Sequence, residues 1–331
     1  MGMDKQVVEQ VAEQIRAQLK YTLDQSNFPF LGPAYIGKVR DCYAHDGLRV
    51  LVTSDRLSCF DRVVTSVPFK GQVLNAIANY WFSLTSDVIT NHIVDTPHPN
   101  VMIVKNCEIL PVEVVLRAYI AGGGWREYEA TGEVSGVKLP SGMKQCQALP
   151  AVTITPSIKA PKGTHDEPIS EAEVVKRGLV PGKLWDEVRE RALALFEIGA
   201  RESAKRGLIL VDTKYEFGLH QGKLILADEI HTLDSSRYWR ADSYPSRMER
   251  GEMPVMLDKE PIRQWLIGQG FKGDGPIPSF SDDYRVSLAK HYLDSAELII
   301  GHPLSVEVGN VAEAIERCLR NHTLLQPRKS S

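Results

Sequence analysis

The 331-residue chain has few cysteines, no long apolar run and no surplus of basic charge, and each shortage excludes a class of protein. Its five cysteines, Cys42, Cys59, Cys107, Cys146 and Cys318, are odd in number and scattered, and none form a C-x-x-C pair, which argues against a disulfide framework and a cysteine zinc site. A reducing, cytoplasmic setting is the expectation. No stretch approaches the roughly 20 apolar residues a membrane-spanning helix needs. The first 19 residues lack the apolar core of a signal peptide and contain acids that a transit peptide avoids. With 39 Lys and Arg against 42 Asp and Glu, a formal charge of −3, there is no basic sheath for generic nucleic-acid binding. The nine histidines include no H-E-x-x-H pair, so a histidine metal site is not indicated.

What is present is an ordinary globular composition, 43% hydrophobic and 24% charged, in a chain long enough for two or three domains. Near the N-terminus Val7, Val8, Val11, Ile15 and Leu19 recur at helical spacing. Two extended runs then meet at Asp46-Gly47, a strong hairpin signal. Strands are expected at 101–104 and 112–119, with a helix over 73–84. Residues 131–164, rich in Gly, Pro, Ser and Lys, read as a long irregular excursion of the kind that is often functional. The clearest helix spans 183–206, with Leu184, Val188, Ala192, Leu195, Phe196 and Gly199 on its apolar stripe. Further helices are expected near 258–268, 283–300 and 306–321.

Two phosphate-loop spellings fail on context. Gly268–Gly273 satisfies G-x-G-x-x-G but follows a helical pattern where a dinucleotide fingerprint needs a strand. Gly32–Lys38 spells G-x-x-x-x-G-K, yet Val39 replaces the hydroxyl residue that would hold Mg²⁺. For Gly37-Lys38 two readings stand: a simple hairpin edge, or a turn closing over phosphates with backbone amides and a lysine charge.

The run LILVDTKYEFGL supplies the sharpest local inference. Strand alternation puts Asp212, Lys214 and Glu216 on one face and Val211, Thr213, Tyr215 and Phe217 on the other. A reversal at Gln221-Gly222 would bring Glu216 opposite or nearly opposite Asp228, each six residues from Gly222. Opposed carboxylates cost up to about 1 kcal/mol in an exposed sheet unless a cation lies between them. Mg²⁺ held by one or two carboxylates and substrate phosphates would use that arrangement; a solvated charged strand face is the alternative.

Six blocks in order, GKVRDCY (37–43), TSDRLSCFD (53–61), VEVVLRAYIAGGGW (112–125), KGTHDEPIS (162–170), LILVDTKYEFG (208–218) and ADEIHTLDSSRYW (227–239), resemble the successive signatures of the SAICAR synthetase family, over about residues 30–300. The resemblance implies a mixed α+β and α/β fold: a β-rich N-terminal domain with kinase-like features and a phosphate-covering loop (1–110), an α/β ATP- and substrate-binding domain (111–255) and a helical C-terminal region (256–331). It implies an ATP-dependent ligase of purine biosynthesis that joins L-aspartate to the carboxylate of carboxyaminoimidazole ribonucleotide through an acyl phosphate. ATP and Mg²⁺ are the implied cofactors, small molecules the partners, and oligomeric state is left open.

By the same resemblance Gly37 and Lys38 belong to the phosphate-covering loop, Glu216 and Asp228 hold Mg²⁺-ATP, and Lys214 contacts nucleotide with Asp212 in support. Arg117 and Arg237 would grip the ribonucleotide phosphate, assisted by Ser236. Asp55, Arg56, Ser58 and Asp61, with Lys159, His165 and Asp166, would line the side where the imidazole carboxylate meets aspartate, with turn formation the alternative for Asp55 and Asp61; Lys214, Asp212, Lys159 and Asp166 are the catalytic candidates. One departure is visible. Gly123 stands where many family members have the serine of a Gly-Ser pair, so only its backbone amide is available to an oxyanion. The competing readings are a phosphotransferase, disfavoured by the absence of H-R-D and D-F-G strings, and a nucleotide-binding module without chemistry.

Overall fold

The structure, a computed structural model, describes residues 5–159 and 166–326. The first stretch of chain forms α1 (Lys5–Gln18), β1 (Ala34–Ile36), β2 (Arg40–His45), β3 (Leu48–Thr53), β4 (Arg56–Cys59), β5 (Arg62–Ser66), α2 (Lys70–Leu84), β6 (Ile93–His98) and β7 (Val101–Lys105). The middle forms β8 (Glu108–Tyr119), α3 (Gly122–Thr131), β9 (Glu133–Val134), β10 (Val137–Lys138), β11 (Ala148–Ile154), β12 (Ser157–Ile158), β13 (Glu167–Pro168), α4 (Glu171–Lys176), α5 (Gly182–Ala204), β14 (Leu208–His220), β15 (Lys223–Ala227), β16 (Ser236–Arg240) and α6 (Tyr244–Glu249). The chain closes with α7 (Glu260–Gly268), α8 (Asp282–Ile300) and α9 (Val311–Arg320). Among the described residues no helix is long and apolar enough to cross a membrane.

These elements make two compact units, each drawn from separated stretches of chain. One comprises Met1–Ile77, Ile93–Asn106 and Pro261–Ser331; the other comprises Ala78–His92 and Cys107–Glu260. The first holds a five-stranded sheet ordered β1-β2-β3-β7-β6 and the β4-β5 hairpin. Its core sets Tyr43, Val50, Val52, Val101 and Ile103 of the sheet against Val311, Ile315 and Leu319 of α9. Asp46-Gly47 turns β2 into β3 with both residues at positive φ, 44° and 78°, the backbone a two-residue hairpin requires.

The second unit is built on a seven-stranded sheet in which β8 and β14 are the long central pair. Its strands pair antiparallel, so this unit is α+β where α/β was expected. The physical reason lies in the sequence of β14: alternating Asp212, Lys214 and Glu216 suit an antiparallel sheet with one charged face, not a parallel sheet buried on both. Helix α5 packs on β14 through Trp185, Val188, Ala192, Leu195, Phe196 and Gly199. Trp185 heads the stripe where Leu184 was expected. Gly199 is obligatory, because a Cβ there would lie 2.2 Å from Cε1 of His231. The expected irregular excursion is partly ordered, since β11 and β12 within it both pair with β8.

Candidate functional site

In the first unit, β1 and β2 are joined by a tight turn at Lys38-Val39, set by the hydrogen bond from Gly37 N to Arg40 O at 2.8 Å. A Cβ on Gly37 would stand 2.7 Å from that same oxygen, so the position admits only glycine. Lys38 sits half-exposed at the tip and is ion-paired with Asp61. Asp61 lies in the β4-β5 turn, where it and Phe60 both take positive φ, 60° and 52°. Ser58 is half-buried in the same hairpin.

Asp55 and Arg56 face inward. Asp55 accepts from Leu23 N at 2.8 Å and from Gly71 N at 2.9 Å, the second bond capping the first turn of α2. Burial pushes its carboxyl up to about 6, against the pull of those two amides and Lys70. The structure therefore gives Asp55 a fold-anchoring position. Arg56 reaches under the Gly37-Lys38 turn, donating to Lys38 O at 3.0 Å and Gly37 O at 3.1 Å.

In the second unit one face of the sheet bears two charged rungs. The first is Arg117, Asp212 and Arg237, brought side by side by the registers Asp212↔Arg117 and Asp212↔Arg237. Both guanidiniums donate to one oxygen, Asp212 Oδ2, at 3.0 and 2.7 Å. Burial lowers the Arg117 pKa, with Arg237 adding to that effect, while Asp212 leads the charges that outweigh burial and raise Arg237. Both stay protonated at neutral pH, so the trio has a net charge of +1. Beside it α3 begins at Gly122 with no side chain capping its free amides. Gly122, at φ 54°, would put a Cβ 2.1 Å from Arg237 Nη2; at Gly124 a Cβ would stand 3.0 Å from Arg117 Nε. A bare helix start, two arginines and two glycines packed against them are the kind of groups that suit an anion. Ser236 is buried behind it, bonded to Thr213 Oγ1 at 2.7 Å.

Four residues along the same strands, roughly 13 Å at strand rise, is the second rung. Glu216 stands directly opposite Glu113 on β8 and opposite Ala227 on β15. The two-residue turn at Gln221-Gly222 sets that register, so Glu216 misses Asp228 by one position. Asp228 follows the last residue of β15 and takes φ 63°, which ends the strand. Its charge still reaches the rung: burial first and then Asp228 push Glu216 up to about 7, while Lys214 and Lys159 pull it back. Lys159 is ion-paired with Glu216; Lys214 donates to Glu113 at 2.5 Å and lies 3.9 Å from Glu216. Burial works against a charged Lys214, but Glu113 and then Glu216 outweigh it and hold the ammonium above the ordinary lysine value.

Glu113 was missed by the sequence reading, although it shares strand parity with Arg117. Among the described residues no group of three or more His, Cys, Asp or Glu is arranged to hold a metal unaided. The hard oxygens and like-charge strain of Glu216 and Asp228 fit a divalent cation whose other positions go to phosphates and water. Asp166 is the first described residue after 160–165, and His165 lies outside the described residues.

The chain is thus a mixed α+β protein whose seven-stranded antiparallel sheet has an arginine–aspartate rung and a carboxylate–lysine rung on one face. The sequence profile of the family described as SAICAR synthetase matches residues 33–276. A phosphoribosylaminoimidazole-succinocarboxamide synthase of Bacteroides thetaiotaomicron is 43% identical over 301 residues, 89% of this chain and 96% of the relative. One of Legionella pneumophila is 40% identical over 311 residues, 92% and 98% of the two chains. The solved SAICAR synthase of Saccharomyces cerevisiae complexed with SAICAR superposes with a TM-score of 0.76 at 31% identity, covering 86% of this chain and all of that one. The chain belongs to the SAICAR synthetase family, and its activity is that of a ligase of de novo purine biosynthesis.

Proposed function

We propose that the charged sheet face of the second unit orients carboxyaminoimidazole ribonucleotide, with its phosphate on the Arg117–Arg237 rung and its carboxylate toward the Lys214 rung. The observation that supports this is the shared strand face, which separates a cationic seat from a carboxylate–lysine group by about 13 Å, on the scale of a ribonucleotide. A carboxylate is a poor electrophile, so amide formation needs activation. The substrate carboxylate oxygen attacks the γ-phosphorus of ATP and ADP departs, leaving an acyl phosphate. The amine of L-aspartate then attacks the acyl carbon, the amide C–N bond forms, the nitrogen loses a proton and inorganic phosphate leaves.

Positioning and charge neutralisation are the protein's share of this chemistry. Lys214 and Lys159 neutralise the oxygens that approach one another, and Lys38, on its rigid turn, serves the nucleotide phosphates. Mg²⁺, when bound at Glu216 and Asp228, neutralises phosphate charge. Asp212 holds the two arginines together through one shared oxygen.

The deciding experiment incubates the purified protein with ATP, Mg²⁺, carboxyaminoimidazole ribonucleotide and aspartate, and then leaves out each in turn. ADP release and a succinocarboxamide that both require aspartate are expected. Phosphate transfer without aspartate and without amide would instead establish a phosphotransferase.

A further inference from the structure

We infer that Arg56 is a positioning residue for the Gly37-Lys38 turn, setting the direction of its peptide groups so that its amides and Lys38 meet a nucleotide phosphate. The inference rests on the reading of that turn as the nucleotide loop. Arg56 is 7% exposed and so contacts no ligand broadly, yet it uses four of its five N–H donors. Nε donates to Lys38 O at 3.0 Å, Nη2 to Gly37 O at 3.1 Å and to Asp41 Oδ1 at 2.7 Å, and Nη1 to Asp24 O. The next carbonyl, Val39 O, is held from the same side by Ser54, through Oγ at 2.8 Å and N at 2.9 Å.

Three consecutive carbonyls are therefore drawn inward. In a trans peptide the N–H points opposite the carbonyl of the same plane, so the amides of Lys38 and Val39 are turned outward. Outward amides flanking a lysine are the elements of an anion nest. The fully buried Asp41, which also accepts from Ser26 N at 2.7 Å and Ser26 Oγ at 2.9 Å, cancels the Arg56 charge. Arg56 thus contributes orientation more than field. Lysine at this position would keep the charge beside Asp41 but, as a single-point donor, would not span the carbonyls.

The test uses the full chain with Lys38→Met, Arg56→Lys, Ser54→Ala and the double variant Lys38→Met/Arg56→Lys. KM for ATP, KM for the ribonucleotide, kcat, ATP affinity without other substrates, and Tm are measured. Arg56→Lys is expected to raise the ATP KM and Kd about tenfold, with kcat and the ribonucleotide KM changed by less than about threefold. The double variant should fall short of the product of the two single effects, since both act through one loop. Ser54→Ala, which removes one tether and no charge, should raise the ATP KM by about two- to threefold and keeps the test alive if Arg56→Lys does not fold. An unchanged ATP KM in Lys38→Met overturns the nucleotide-loop reading itself. A raised value there, with parental ATP KM in folded Arg56→Lys and in Ser54→Ala, or with multiplicative effects in the double variant, overturns the positioning inference alone.

Discussion

Arg117 and Arg237 donate to the same atom, Asp212 Oδ2, from the two strands that flank it, at 3.0 and 2.7 Å. One buried carboxylate thus holds two like charges together on one face of the sheet.

Asp212→Asn leaves the two guanidiniums facing each other without a counter-charge. Breaking a buried pair in this way costs about 3 kcal/mol, and chemical denaturation should show a loss of that size. Steady-state kinetics should show a raised ribonucleotide KM, because the arginines splay. Parental stability in this variant would mean that the shared oxygen contributes no net attraction.

The three consecutive glycines at the start of α3 should respond oppositely to substitution. Gly122→Ala forces a Cβ to 2.1 Å from Arg237 Nη2 at a positive φ, and is expected to raise the ribonucleotide KM at least about tenfold. Gly123→Ser meets nothing nearer than Arg126 Nη2 at 3.8 Å and adds a hydroxyl at the helix start. It should fold normally and lower that KM.

The pH dependence of stability should contain a component from Asp55. Its folded value of about 6 lies above the ordinary carboxylate value of 3.8, so the folded state retains a proton that the unfolded state has lost between those two values. Stability from this group is therefore highest below pH 3.8, falls as pH rises to about 6 and is level above, a decline on the order of 3 kcal/mol. Asp55→Asn forfeits one of two acceptors but should flatten the decline. Urea titrations across that window, parent against variant, measure the difference.

Glu113 faces Glu216 directly, and Lys214 answers both. Glu113→Gln removes the like-charge opposition and releases Lys214 from its nearest carboxylate. The expected result is unchanged or slightly raised Tm with kcat reduced at least about tenfold. A kcat within twofold of the parent would show that Glu113 only balances charge.

Much of the local structure was legible in the sequence, and for physical reasons. Asp46-Gly47 and Gln221-Gly222 both form two-residue turns at positive φ, where few residue pairs are comfortable. The charged parity of β14 stands as read, with Asp212, Lys214 and Glu216 on the face that pairs with Arg117 and Glu113. Glu216, expected opposite or nearly opposite Asp228, pairs with its neighbour Ala227, because register depends on whether the turn contains one residue or two. The inward course of Arg56 and Asp55 was not legible either. A motif in which Ser58 and Asp61 stay near the surface gives no local sign that its first two charged residues turn into the core.

By itself the sequence determined turn positions, strand parity, the α5 stripe and the shortage of basic charge, each set by backbone preferences and periodicity within a few residues of chain. Only the tertiary structure decided that Arg117 and Arg237 share one oxygen, that Glu113 joins the rung with Glu216 and Lys214, and that Arg56 lies beneath the Lys38 turn. Those relations join residues 18 to 120 positions apart, and they depend on strand order, register and burial, which no local spacing encodes.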